Sequence, residues 1–269
     1  NIETYRQNQR QAQLAAPSYR HCCTTCLQPD FACYCPWIKT IDLNIDFVIL
    51  IHPKEIKRRR ITTGRMAHLS LANSHLIMGH LFENDPRVNA ILADTNRHCV
   101  MLYPSRRSVN LTILSEEGLR DLVPCGKRLT IFVIDGTWST AKKTVNQSPN
   151  LNSLPRISFT PPGPSNFRVR LQPRPECYST IEAIHHAAEL LGPAVGLDPT
   201  TLKHDQLLLV FSKMVSENCD LRELELGRPF DSKNQTGARH WRTESTKLIT
   251  ILSRENGPNY MLQEPCLAA

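Results

Sequence analysis

The chain has 269 residues, 41% hydrophobic and 21% charged, a composition that fits a folded globular protein and excludes a disordered one. Thirty-two Lys and Arg against 25 Asp and Glu give a net charge of +7, which points either to an anionic partner, nucleic acid being the commonest, or to a basic protein with no such partner. The longest purely apolar runs, Phe47–Ile51 and Leu207–Phe211, fall far short of the roughly 18 residues a membrane-spanning helix needs, so none is expected.

Residues 1–20 read as a polar lead-in, helical or loose. The Gln-rich stretch Asn1–Ala16 does not resemble a secretory signal, so a reducing, cytoplasmic setting is expected. A cysteine-rich knuckle follows. Cys22, Cys23, Cys26, Cys33 and Cys35 sit close together, while Cys99, Cys125, Cys177, Cys219 and Cys266 are isolated. In a reducing compartment such a cluster binds metal more often than it forms bridges. The spacing Cys23-x-x-Cys26 lets one turn aim two sulfurs at a single ion, and Cys33-x-Cys35 supplies two more. Four thiolates satisfy tetrahedral zinc and close its shell, so the metal would be structural and would not activate water. Cys22 offers a slipped register in place of Cys23. Disulfides or free thiols are the alternative.

Asp46–Ile51 is a short apolar run stopped by His52-Pro53 and reads as a buried strand. Lys54–Arg60 is strongly basic. Apolar positions in Met66–Phe82 have broadly helical spacing, with Thr62, Thr63 or Gly64 as cap. Val88–Ala93 and Cys99–Tyr103 read as strands, and Leu111–Arg120 as a helix. Leu129–Ile134 is the clearest buried strand and runs straight into Asp135-Gly136-Thr137-Trp138. Ser139–Asn146 reads as a helix, Arg156–Phe159 as a strand, and the proline-rich segment 161–175 as a loop. Thr180–Leu191 and Gln206–Cys219 read as helices, with His185-His186 on a helix surface. Alternating strands and helices predict an α/β fold with a largely parallel sheet.

In such a fold ligands bind beyond the carboxyl ends of the strands, which is where Asp135 falls. Gly136 allows a tight turn and close backbone approach to a ligand, and Thr137 can cap the next helix. Trp138 offers a flat face for a base or a cation. The alternative is that Asp135 is a helix cap and Trp138 packs in the core. Leu102-Tyr103-Pro104-Ser105 closes another strand. Ser179-Thr180-Ile181-Glu182 opens a helix, with Glu182 at the positive end of its dipole, or serving only as part of a cap. Candidate phosphate contacts are Arg58, Arg59, Arg60, Lys142, Lys143, Arg168 and Arg170, with Arg174 nearby; a solvated face is the plainer reading. Phe159 and Phe167 lie near the last of these. Neither a Walker-type loop nor G-x-G-x-x-G is present, which argues against nucleoside triphosphates and NAD.

In series, the knuckle Cys23–Ile38, His52-Pro53-x-Glu55, Thr63-Gly64-Arg65, Leu102–Ser105, Asp135–Trp138 and Ser179–Ala183 resemble the DTW-domain family over about residues 22–190. Thr62 stands where that pattern has Asn. The resemblance implies a fold related to the knotted SPOUT methyltransferases. It also implies transfer of an aminocarboxypropyl group from S-adenosylmethionine to N3 of a uridine in the tRNA variable loop. On that basis Asp135 is the candidate base and Trp138 the stacking partner of the target base. Tyr103, Pro104, Ser105, Gly136, Thr137, Thr180 and Glu182 are then candidates for holding the co-substrate. A SPOUT-like RNA methyltransferase and a non-catalytic zinc-containing RNA-binding protein are the competing readings. The expected organisation is a lead-in and knuckle (1–40), a catalytic α/β domain (41–220) and a C-terminal extension (221–269), in a monomer.

Overall fold

The computed structural model describes residues 22–53, 62–169 and 173–226, together with positions 3 and 7. Lys54–Arg60, and with it Arg58, Arg59 and Arg60, lies outside the described residues, as do Arg170 and the tail from 227. Six strands form one sheet: β1 (Asp46–Ile51), β2 (Ser74–Met78), β3 (Arg97–Leu102), β4 (Val109–Asn110), β5 (Arg128–Asp135) and β6 (Arg156–Ser158). Their order is β2-β1-β5-β3-β6-β4 and every pairing is parallel. This is the α/β fold with a parallel sheet that alternation along the chain predicts. Late strand β5 sits between β1 and β3, with Ile51 in register with Asp135.

Both faces of the sheet are covered, which is why β1 and β5 read as continuous apolar runs rather than alternating ones. All six residues of β1 are buried. Phe47 and Ile49 point into one core layer with Ile131, Val133, Val100 and Leu102. Val48 and Leu50 point into the other with Phe132, Ile134 and Met101. The first layer is closed by α1 (Thr63–Ser70), α6 (Thr180–Leu191) and α7 (Asp205–Leu226), which pack on one another. The second is closed by α2 (Pro86–Ala93), α4 (Trp138–Asn146) and α5 (Pro149–Asn152) through Val88, Ala141, Val145 and Leu151. The remaining helix, α3, is the short Glu116–Asp121. Phe159 and Phe167 are core residues, 1% and 3% exposed, and are not available to stack on a nucleic acid.

Three local readings need correction. Met66–Phe82 is not one helix: α1 ends at Ser70 and the chain turns into edge strand β2. Val88–Ala93 is helix, not strand. The Asp85 carboxylate accepts from the N–H groups of Arg87 and Val88, and Pro86 stands in the first turn, so the run starts as a capped helix. Leu111–Arg120 is split into a 3-10 turn, Leu111–Ile113, and α3, because the Ser115 hydroxyl accepts from the Gly118 N–H and starts a new helix. Helix α7 is continuous through position 220.

Candidate active site and metal cluster

Strand β5 delivers Asp135 to the carboxyl edge of the sheet, where it is 5% exposed. The Thr180 hydroxyl, at the first position of α6, donates to Asp135 Oδ1 at 2.6 Å. Gly64, in the first turn of α1, packs so closely on the same carboxylate that a Cβ there would stand 2.6 Å from Oδ2. Helix α4 begins three residues after Asp135, with Thr137 as its cap: the Thr137 Oγ1 accepts from the Thr140 N–H at 3.2 Å. Thus the first turns of α1 and α6 face one acid, and that end of a helix carries positive partial charge. Three residues far apart in sequence, Gly64, Asp135 and Thr180, meet at one point.

Trp138 is half-buried, and its indole lies edge-on to the Tyr103 ring with centroids 6.1 Å apart. Tyr103 leaves the end of β3, its N–H donating to Ile157 O at 3.0 Å, and the Arg156 guanidinium sits 5.3 Å over its ring. Pro104 is buried, and Ser105 enters a turn closed by Ser108. Tyr103 and Trp138 therefore line the carboxyl edge beside Asp135. Gly136 has no positive φ, and a Cβ there would meet only ordinary contacts with Thr140. The tight approach assigned to Gly136 belongs to Gly64, whose constraint is tertiary and leaves no local mark in the sequence.

Glu182 is committed within the chain. Its carboxylate accepts from the Ser179 N–H and hydroxyl, from the Ser165 hydroxyl at 2.8 Å and from the Asn166 N–H at 2.7 Å. It clamps the proline-rich loop onto the start of α6. Nothing in the local sequence marks Ser165 and Asn166 as partners of Glu182, because the contact is made between the loop and a helix that follows it. The two histidines of α6 are not surface residues. His185 is 8% exposed and bonds Asp205 on α7, while His186 packs against the rings of Phe159 and Tyr178. Lys142 and Lys143 are exposed on α4, the helix that begins with Trp138, and Arg168 is exposed on the loop.

At the knuckle, the sulfurs of Cys23, Cys26, Cys33 and Cys35 all lie within 4.8 Å of one another. Cys23 Sγ is 3.7 Å from Cys35 Sγ, and Cys26 Sγ is 3.6 Å from Cys33 Sγ. A disulfide would bring two sulfurs to about 2.05 Å, whereas thiolates about 2.3 Å from a tetrahedral ion stand about 3.8 Å apart. The four residues fit a metal ion. Cys22 is exposed and outside this group of four. The backbone N–H groups of Cys26 and Thr25 lower the Cys23 thiol to about 6, while burial raises Cys33 and Cys35. Leu27 accepts a left-handed backbone, φ 60°, to close the turn. Elsewhere Cys177 is disulfide-bonded, which its isolation in the sequence did not suggest.

The sequence signature of the DTW domain matches residues 20–219. The chain belongs to the DTW-domain family. The matched span of the DTW domain takes in the knuckle, the sheet and α6. Among curated relatives, a Drosophila melanogaster protein named tRNA-uridine aminocarboxypropyltransferase 2 is 33% identical over 175 residues, 62% of this chain and 64% of that protein. Proteins of the same name from Macaca fascicularis and Mus musculus are each 28% identical over 196 and 195 residues, 70% of this chain and 62% of each relative. The chain thus spans less than two-thirds of the length of the relatives it matches. No solved structure matches it significantly.

Proposed function

We propose that this DTW domain is a tRNA-uridine aminocarboxypropyltransferase, moving the 3-amino-3-carboxypropyl group of S-adenosylmethionine to N3 of a uridine in the tRNA variable loop. The names of its relatives support the reaction class. The observation that carries the reading is the meeting of Gly64, Asp135 and Thr180 at the carboxyl end of β5. That is where an open parallel sheet places its ligand. S-adenosylmethionine supplies a methylene carbon next to a sulfonium, so N3 gains a bond to carbon while the carbon–sulfur pair leaves on methylthioadenosine.

The chain's own residues must orient the two partners and take up the N3 proton. Orientation supplies most of the advantage in such a displacement. Asp135 is the proton acceptor in this reading, with Thr180 holding the carboxylate in a fixed direction and the missing side chain of Gly64 leaving room for it. Trp138, steadied by Tyr103, walls the site and stacks the uracil once the nucleotide is turned out of the RNA. Backbone groups at Tyr103, Pro104, Ser105, Gly136 and Thr137 border the co-substrate. Glu182 acts through the loop it clamps. Lys142, Lys143 and Arg168 contact tRNA phosphates. The four-cysteine cluster holds a structural Zn2+ through Cys23, Cys26, Cys33 and Cys35. The knot of SPOUT-like folds and a cytoplasmic monomer complete the proposal.

The test is a nucleoside digest of tRNA treated with the protein and S-adenosylmethionine. The reading expects a uridine heavier by one aminocarboxypropyl group, with methylthioadenosine released in equal amount. A uridine heavier by one methyl group would make the protein a methyltransferase. Neither product would leave a binding protein.

A further inference from the structure

Away from the carboxyl edge, α6 and α7 bring together His185, His204 and Asp205. The ligating atoms of the three lie within 4.8 Å of one another. His185 Nε2 is 2.8 Å from Asp205 Oδ1, and His204 Nε2 is 3.6 Å from the same oxygen. The two imidazole centroids are 4.8 Å apart. We propose that these residues form a second metal site, separate from the cysteine cluster, for a divalent transition ion of the zinc type.

A simple His–Asp hydrogen bond does not account for the arrangement, because His204 takes no part in it. His204 is 2% exposed, and its Nε2, the nitrogen toward Asp205, stands 3.6 Å from Oδ1, too far for a hydrogen bond. A largely buried imidazole in that position still needs a partner on the nitrogen that faces the carboxylate. An ion between the two rings and the carboxylate supplies one. Tetrahedral nitrogen and oxygen ligands about 2.0–2.2 Å from zinc stand roughly 3.3–3.5 Å apart, and the observed separations of 2.8 and 3.6 Å straddle that value.

The donor set decides the ion. Two imidazoles and one carboxylate suit zinc, cobalt or nickel, whereas magnesium and calcium prefer oxygen throughout. Three protein ligands leave a fourth position, and the Asp205 side chain is 48% exposed, so that position faces solvent. The ion would staple the start of α7 to the middle of α6, the helix whose first residue holds Asp135. The assignment does not depend on the proposed reaction.

The experiment uses the full chain, stripped of metal with a chelator and titrated with Co2+. Cobalt at the cysteine cluster gives an intense sulfur-to-metal band in the near ultraviolet; cobalt at the histidine site does not. The proposal expects two equivalents bound, the second adding visible absorption without that band. Asp205→Asn keeps the side chain's size at a partly exposed position. It should weaken the second equivalent by at least about tenfold, the scale already found for removing a partner one shell out, and leave the sulfur band intact. His204→Gln should do the same. Binding of a single equivalent by the wild-type chain, or a second equivalent unaffected by Asp205→Asn, overturns the proposal.

Discussion

A Cβ built at Gly64 would stand 2.6 Å from Asp135 Oδ2, inside any normal contact. Gly64→Ala should therefore push the carboxylate out of line or displace the first turn of α1. We expect a loss of about 1–3 kcal/mol in stability together with a loss of turnover, read by urea unfolding and by methylthioadenosine release. Thr180 acts on the same acid through one hydrogen bond of 2.6 Å. Thr180→Val removes that donor while keeping the volume, and should cost about 1–3 kcal/mol because the buried acceptor loses its partner. Thr180→Ser should restore most of it. At this scale the sequence was only half legible. Asp135 and Trp138 stand out because they follow the most apolar strand. That Thr180 would meet Asp135, or that Gly64 would lie against it, depends on packing between helices far apart in the chain.

At the scale of elements, the long buried strands β1 and β5 announce themselves as apolar runs, and α6 by its length. The weaker elements misled. Val88–Ala93 is equally apolar as strand or helix, and only the preceding Asp85-Pro86 pair, a cap followed by a first-turn proline, distinguishes them. That cap is testable. Its carboxylate is held below the usual range by hydrogen bonds from Arg87 and the Val88 N–H. A carboxylate depressed on folding contributes stability above its unfolded value of about 4 and loses it as the pH falls through the lower folded value. Asp85→Ala should thus cost about 1 kcal/mol at pH 7, and the difference between variant and wild type should shrink at pH values below about 4. Strand β2 was hidden because it is an edge strand with one fully buried residue, Ile77, too weak an apolar signal to interrupt a helical reading.

At the scale of the molecule, charge and metal come into play. The exposed pair Lys142 and Lys143 rides on the helix that starts at Trp138. Reversing both charges should weaken tRNA binding and lower the slope of log affinity against log salt by about 1–2, with little effect on folding. Cys26 is fully buried within the cysteine cluster, and the knuckle is tied to α7 by the Gln206 side chain, which donates to Trp37 O at 2.8 Å. If the cluster holds a structural ion, Cys33→Ser should bind one equivalent fewer and loosen the knuckle, seen as a lower melting temperature. The four-cysteine pattern was legible because close spacing alone forces the sulfurs together. The histidine cluster on α6 and α7 was not, because nothing in a His-His pair says which helix will cover it.

The most direct test of the account is the release of methylthioadenosine by Asp135→Asn and Asp135→Ala in the presence of tRNA. If Asp135 accepts the N3 proton, both variants lose turnover by about two to four powers of ten while still binding tRNA. Asparagine keeps the acceptor for Thr180 but not the basicity. Near-normal turnover by Asp135→Asn would contradict the account.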